Sequence, residues 1–432
     1  VDGFLERRFQ LRAHGTSPRQ EVVAGVTTFL AMAYITVVNP GILSAAGMDF
    51  GAVFVATCLA AAIGTGVMGF YANYPVAQAP GMGQNAYFTY GVVLGLGHSW
   101  QSALGAVFIS GLLFIVLSLL PIREWLINAI PRSLKLGISA GIGFFLGIIA
   151  LSGSGIIVAD EATLVSLGDL TATPAIFLLM GFVLITALAA RGNVGAVVLG
   201  MLAVTALGWA TGAAEFKGVV AAPPPMTTLF ELDIASAFNL SMVTVILTLL
   251  LVDVFDTAGT LVGVANRAGM LDKRGHLPRL RKALLADSSA TVVGAVLGTS
   301  STTSYIESAA GVEAGGRTGL TALTTALLFL LCLFIAPLAQ SIPAFATGAA
   351  LLFVATIMAR ALEDLEWSEL GESAPAVVTA LAVPLTYSIA DGIGLGFISY
   401  ALVKIISGQA SKCPPAVYLV AVIFMLKFAF LS

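Results

Sequence analysis

Charge is what this chain has least of. Only 10% of its 432 residues are Asp, Glu, Lys or Arg, while 58% are hydrophobic and the mean hydropathy is +0.98. Soluble domains carry roughly 25% charged residues, so a soluble globular protein is excluded, and no polar block is long enough for a separate soluble domain. A net charge of -3 gives no basis for a nucleic-acid partner. Cysteine is scarce too: Cys58, Cys332 and Cys413 stand singly, in no metal or disulfide spacing, and read as packing residues. "GMGQN" at 81–85 looks like a glycine-rich phosphate loop but has no lysine and no strand–helix dinucleotide context. No metal, cofactor or enzyme constellation is expected. His14, His98 and His276 all lie in terminal or loop sequence, which excludes a histidine proton relay inside a membrane.

What is present is a succession of apolar runs, from about residue 21 onward, long enough for a hydrocarbon core of roughly 30 Å. They are continuous rather than alternating, which points to an all-α polytopic membrane protein and not a barrel. The 46 glycines and 17 prolines suit helices that pack closely or break within protein. Punctuation places spans near 21–43, 52–72, 82–96, 101–121, 133–152, 173–190 and 193–212. After a proline-rich loop at 223–225 they resume near 240–264, 284–298, 305–315, 319–340, 343–360, 372–389 and 392–408, about fourteen in all. A last run, 415–431, carries Lys427 and reads either as a further span or as an interfacial helix. The charged stretch "LERRFQLRAHGTSPRQE" does not resemble a cleaved signal peptide, so the first span is expected to direct insertion. Arg7, Arg8, Arg12 and Arg19 precede that span and put the N-terminus in the cytoplasm. Alternation then leaves Arg123, Arg132, Lys135, Arg191 and the basic 267–282 loop, with Lys273 and Arg274, inside, and Asp160, Glu161, Asp169, Glu231 and Asp233 outside. The basic loop reads as a topology signal facing anionic lipid.

Seven spans before the proline-rich loop make the eighth run opposite to the first, so two related halves would be inverted. "AAGM" at 45–48 closes the first span and "RAGM" at 267–270 the eighth, and 37 residues separate Met48 from Asn85 and Met270 from Glu307 alike. The third segment opens with "YPVAQAPGMGQNAYF", where Pro75 and Pro80 enforce extended backbone before a helix near Gly81. The tenth opens with "GTSSTTSY", a β-branched, polar run that reads as a short strand before a helix near Glu307. Broken third and tenth spans in inverted halves point to a secondary transporter with its site at the midplane, between two helix N-termini.

A carboxylate at a helix centre costs about 2.5–3.5 kcal/mol to insert. Asp253 and Asp256, three residues apart on one helical face, and Glu307 together represent about 8–10 kcal/mol. They are either structural, protonated or satisfied by Ser, Thr and backbone donors, or they are acceptors for a neutral, N–H-rich solute and titratable groups for proton coupling. Asn85, early in the broken third span, can donate and accept, or serve as a turn residue. Asn39, beside Pro40, reads first as a cap. Glu313 and Arg317 are spaced for an ordinary i,i+4 ion pair. Gly137, Gly141, Gly143 and Gly147 mark close helix contact, within a protomer or between protomers.

At "VVAGVTTFLAMAYITVVNPGIL", "PGMGQNAYFTY", "VDVFDTAGTL" and "TTSYIESAAGVEAGGRTGLTA" the chain resembles the adenine/guanine/hypoxanthine permeases of the nucleobase/ascorbate transporter superfamily, over essentially its whole length. The resemblance implies fourteen spans in two inverted repeats of seven, with spans one to four and eight to eleven forming a core and the rest a gate. On this chain that gives a cytoplasmic segment 1–20, core 21–121, gate 122–222, an extracellular linker 223–239, core 240–340, and gate plus C-terminal tail 341–432. It also implies a homodimer in the plasma (inner) membrane that imports purine bases with protons. Asp256 and Glu307 match the acids that bind the base, Asn85 a functional third-span asparagine and Asp253 a further functional acid. The uracil-transporting relatives carry a histidine where this chain has Thr260, so proton coupling falls to Asp253, Asp256 or Glu307. The expected site holds the base flat between spans three, eight and ten, with backbone N–H groups near Asn85 and Ser308 serving its acceptors and Tyr87, Phe88 or Tyr305 covering a ring face. Uracil, xanthine or an anion is the alternative cargo on this scaffold, and a channel the alternative class. Acids on both sides of the site disfavour an anion.

Overall fold

The structure is a computed structural model that describes residues 2–120, 130–272 and 277–430. The expectations for Arg123, Lys273, Arg274 and His276 lie outside the described residues. Among the described residues, nine helices are long and apolar enough to cross a membrane: Pro18–Ser44, Phe50–Ala72, Trp100–Leu119, Arg132–Gly153, Thr173–Ala190, Ser241–Arg267, Gly319–Gln340, Ala344–Asp364 and Ile389–Ile406. Three shorter apolar helices, Ala196–Thr211, Leu370–Leu385 and Pro415–Phe430, accompany them, as does Leu280–Leu297. The chain is a helical, multi-pass membrane protein.

Polar residues set where the helices begin. Asp49 accepts the Ala52 N–H at 2.8 Å and starts Phe50–Val67. Ser388 accepts the Asp391 N–H at 3.1 Å and starts Ile389–Ile406. That cap corrects the register of the last expected spans: the chain turns at 386–388, with Tyr387 left-handed at φ +53, and not at 390–391. The run 415–431 holds the helix Pro415–Phe430, packed on Ile389–Ile406. Its Lys427 pairs with Asp391 at 2.5 Å.

Two short strands replace helix at membrane depth. β1 (Gln78–Pro80) and a partner far along the chain, described below as β4 (Thr302–Ser304), form an antiparallel pair in which Ala79 faces Thr303. Between them in sequence, β2 (Ile157–Asp160) and β3 (Leu164–Leu167) make a hairpin that the apolar-run reading passed over. Its turn is fixed by Asp160, whose carboxyl is held below the usual carboxylate range by the Thr163 and Ala162 N–H groups.

The glycine-spaced helix Arg132–Gly153 packs inside the protomer. A Cβ on Gly137 would lie 2.5 Å from the Ala376 carbonyl oxygen, and one on Gly143 would lie 2.7 Å from Met358. The first face meets Leu370–Leu385 and the second Ala344–Ala359. The expected Glu313–Arg317 pair is not formed. Glu313 pairs with Arg267 at 2.8 Å, and Arg317 turns its guanidinium to the Val312 and Gly316 carbonyls. The chain reverses between them, with Gly315 at φ +102, so the i,i+4 spacing of a continuous helix does not apply.

Candidate solute site at the broken helices

Extended backbone at membrane depth must find its partners in protein. Here the strands pair with each other, Thr65 serves the Gln78 N–H and carbonyl and Thr291 the Thr302 carbonyl, and the ladder is prolonged by Gly81 N–H to the Ser301 carbonyl and Tyr305 N–H to the Ala77 carbonyl, both at 2.9 Å. Gln78, Ala79 and Thr302 are fully buried. Immediately after the strands, Gly81 caps the helix Met82–Ala86 and Glu307 caps Ser308–Glu313, and the long helix Leu240–Arg267 packs against both. The strand pair centres on Ala79 and Thr303, so Glu307 corresponds to Gly83, each four residues on. The equal spacing that matched Glu307 to Asn85 is thus two residues out of register with the strands.

Asp256 is exposed, and it lies within electrostatic reach of Glu307, which is partly exposed. Glu307 accepts a 2.6 Å hydrogen bond from the Tyr34 hydroxyl, a contact the sequence reading missed. Asn85 is fully buried; its Oδ1 accepts from the Ser300 hydroxyl, and its Nδ2 has no partner among the described residues. An unmet buried donor costs about 1–3 kcal/mol. Asn39 is not a cap. It is buried within Ile35–Ser44 and donates to Thr57 and Thr299 at 2.7 and 2.8 Å, tying the first span to the run before β4.

Asp253 and Asp256 do not share surroundings. Asp253 is 1% exposed and accepts from Thr291 at 2.9 Å and Gln84 at 3.3 Å, behind the site. Beside it lies an acid that sequence reasoning overlooked, Asp287, also fully buried. Asp287 accepts from Gln78 on β1 at 2.8 Å, Ser304 on β4 at 2.7 Å and Thr257 at 2.7 Å. It lashes both strands to two helices.

Several other expected contributors are engaged elsewhere. The Ser308 N–H donates to the Tyr305 carbonyl at 3.1 Å and the Asn85 N–H to the Gly81 carbonyl at 2.8 Å, so neither is free for a solute acceptor. The Ser308 hydroxyl accepts from the Ala77 N–H at 3.0 Å. Tyr305 donates its hydroxyl to the Pro80 carbonyl at 2.6 Å. Tyr87 and Phe88 are buried at 2% and 1% exposure, with Tyr87 against Leu249, Val252 and Ile389. None of the three aromatic rings lies open beside Asp256; the exposed apolar neighbour of Glu307 is Ile306. The arrangement is a pair of accessible carboxylates within electrostatic reach of each other, Glu307 at the start of Ser308–Glu313 and Asp256 on the long helix packed against it.

The family model described as "Permease family" matches residues 19–395. Adenine permease AdeP of Escherichia coli strain K12 is 47% identical over 431 residues, covering 100% of this chain and 97% of that protein. Guanine/hypoxanthine permease PbuO of Bacillus subtilis strain 168 is 45% identical over 428 residues, covering 97% of this chain and 99% of that one. Among solved structures, the transmembrane domain of a cyanobacterium bicarbonate transporter, BicA, superposes with a TM-score of 0.63 at 17% identity, over 86% of this chain and 96% of that one. SLC26A9 does so with a TM-score of 0.68 at 12% identity, over 90% of this chain and 65% of that one. These two likenesses concern the fold alone. The chain belongs to the permease family, within the purine permease branch of the nucleobase transporters, a family of transporters and not of enzymes.

Proposed function

We infer that this chain is a secondary active transporter that imports free purine bases, adenine, guanine or hypoxanthine, by proton symport across the plasma membrane. The observation that carries the reading is that two accessible acids, Asp256 and Glu307, lie within electrostatic reach of each other, with Glu307 at the start of the second broken helix. Carboxylates accept the ring and exocyclic N–H groups of a neutral base, and the Asn85 amide nitrogen, without a partner among the described residues, offers the complementary donor. Proton coupling falls to Asp256, Glu307 or Asp253. The similar permeases are named for adenine and for guanine/hypoxanthine, which supports the same class of cargo here.

The helices and half-helices are taken as fourteen crossings in two inverted repeats, N-terminus cytoplasmic, with the antiparallel strand pair on the axis between the halves. Residues 21–121 and 240–340 form the core, and 122–222 and 341–432 the gate. The packing of Arg132–Gly153 on Leu370–Leu385 and Ala344–Ala359 is consistent with that division. Protonation of a carboxylate neutralises the core so that it slides against the gate, giving alternating access, and the working unit is a homodimer.

Uptake of radiolabelled adenine, guanine, hypoxanthine and uracil, in cells lacking their own purine permeases and with or without a protonophore, tests this. A purine accumulates and the protonophore abolishes it; accumulation that survives the protonophore removes the symport claim. Glu307→Gln and Asp256→Asn should each abolish uptake at normal membrane abundance. Wild-type uptake by both would remove the site assignment.

A further inference from the structure

One stripe of the helix Leu240–Arg267 changes character halfway along. Residues 242, 245, 249, 252, 256, 259, 263 and 266 alternate in steps of three and four and so lie on one face. Met242, Val245, Leu249 and Val252 are between 0% and 7% exposed. From Asp256 onward the same face opens: Asp256, Gly259 and Asn266 are exposed and Gly263 is half-buried. A Cβ built on Gly259 meets nothing within 4 Å, and one on Gly263 meets only Ile306, at 3.5 Å. The change occurs at the candidate binding acid.

On the buried side the face is shut. Leu249 and Val252 close against Gly83, Gln84, Tyr87 and Ile389, and the gap between them has no room for a water molecule. One turn beyond Tyr87, Tyr90 meets Phe145 edge to face with centroids 6.4 Å apart, and Phe145 meets Tyr387 in the same manner at 5.3 Å. These three rings come from the broken third span, the helix Arg132–Gly153 and the turn before Ile389–Ile406. Phe145 itself is fully buried, whereas Tyr387 is 40% exposed on a left-handed turn residue. Edge-to-face pairs add about 0.5–1.5 kcal/mol each beyond area burial, a bond strong enough to seal and weak enough to part.

We propose that Gly259, Gly263 and Asn266 line the solute's path between Asp256 and the membrane face that carries Arg267, and that Tyr90, Phe145 and Tyr387 seal the opposite path. A side chain at Gly259 would stand in that path, where a Cβ meets nothing within 4 Å. The proposal rests on the transporter reading for its purpose but not for its test.

Single cysteines are placed at Gly259, Asn266, Val245 and Val243, and a charged, membrane-impermeant methanethiosulfonate is applied to right-side-out and inside-out vesicles. The wild type is the blank, since Cys58, Cys332 and Cys413 are all buried. Val243, 51% exposed on another face of the helix, reports lipid. Gly259→Cys and Asn266→Cys should be modified from the Arg267 face only, and Val245→Cys and Val243→Cys from neither. Adding Tyr387→Ala, or independently Tyr90→Ala, should open Val245→Cys to reagent from the opposite face. Two results overturn the proposal: Gly259→Cys as inert as Val243→Cys, which makes the stripe a lipid face, or Val245→Cys reactive with the aromatic seal intact. If the pattern holds but adenine gives Gly259→Cys no protection, the path stands and the purine reading falls.

Discussion

Glu307 takes its hydrogen bond from Tyr34, a residue 273 positions away. Hydrogen bonds to a charged group are worth about 1.5–3 kcal/mol, so Tyr34→Phe should cut adenine uptake by about tenfold or more at unchanged membrane abundance. Unchanged uptake would show that the hydroxyl does not orient the carboxylate. Asp287→Asn keeps shape but presents an amide to the Gln78 amide donor. It should lower the thermal stability of the detergent-purified protein by about 1–3 kcal/mol, read as a fall in its melting midpoint. Asp256 and Glu307 were legible in the sequence because an acid in an apolar run must be explained. Asp287 sits in "ALLADSSATVV" and was open to the same argument. Tyr34 was not, since a tyrosine carries its polar tip into an apolar span at little cost. The commitments of Ser308 and Tyr305 could not be read either, because their partners, Ala77 and Pro80, belong to a strand pairing that only the fold brings together.

For an element such as Arg132–Gly153 the glycines decide which neighbours are admitted. Gly137→Val forces a side chain onto the Ala376 carbonyl and should cost about 1–3 kcal/mol, whereas Gly153→Val, with nothing within 4 Å, should leave the melting midpoint of the purified protein nearly unchanged. Equal effects of the two would deny the close approach. Spacing showed that these glycines made a contact but not with what. Helix positions were legible from apolar runs, since length and composition alone suit a helix to the bilayer. The turn before Ile389 was misplaced because Ser388, an ordinary polar residue in the sequence, is the cap. The β2–β3 hairpin escaped because alternation over four residues is easily lost among longer runs.

Across the whole molecule, the last helix is fastened by Lys427 to Asp391, at 2.5 Å with side chains 12% and 33% exposed. A charge in an apolar helix left two readings open, and its partner, on another helix, explains it. Lys427→Met should lower the melting midpoint by stranding Asp391, and Lys427→Met with Asp391→Leu should recover part of the loss. A double variant no better than the single would mean the pair does not couple the helices.

The strand pair has a further consequence, in the order of synthesis. Tyr305 and Pro80 lie 225 residues apart, and β1 finds its hydrogen-bonding partner only when the second half of the chain has arrived. Until then Ala79 lacks its partner strand, while Gln78 is held locally by the Thr65 hydroxyl, which accepts its N–H at 2.8 Å and donates to its carbonyl at 3.0 Å. The strand pair, and the candidate site beside it, can close only after residues 302–304 have been made and have entered the fold.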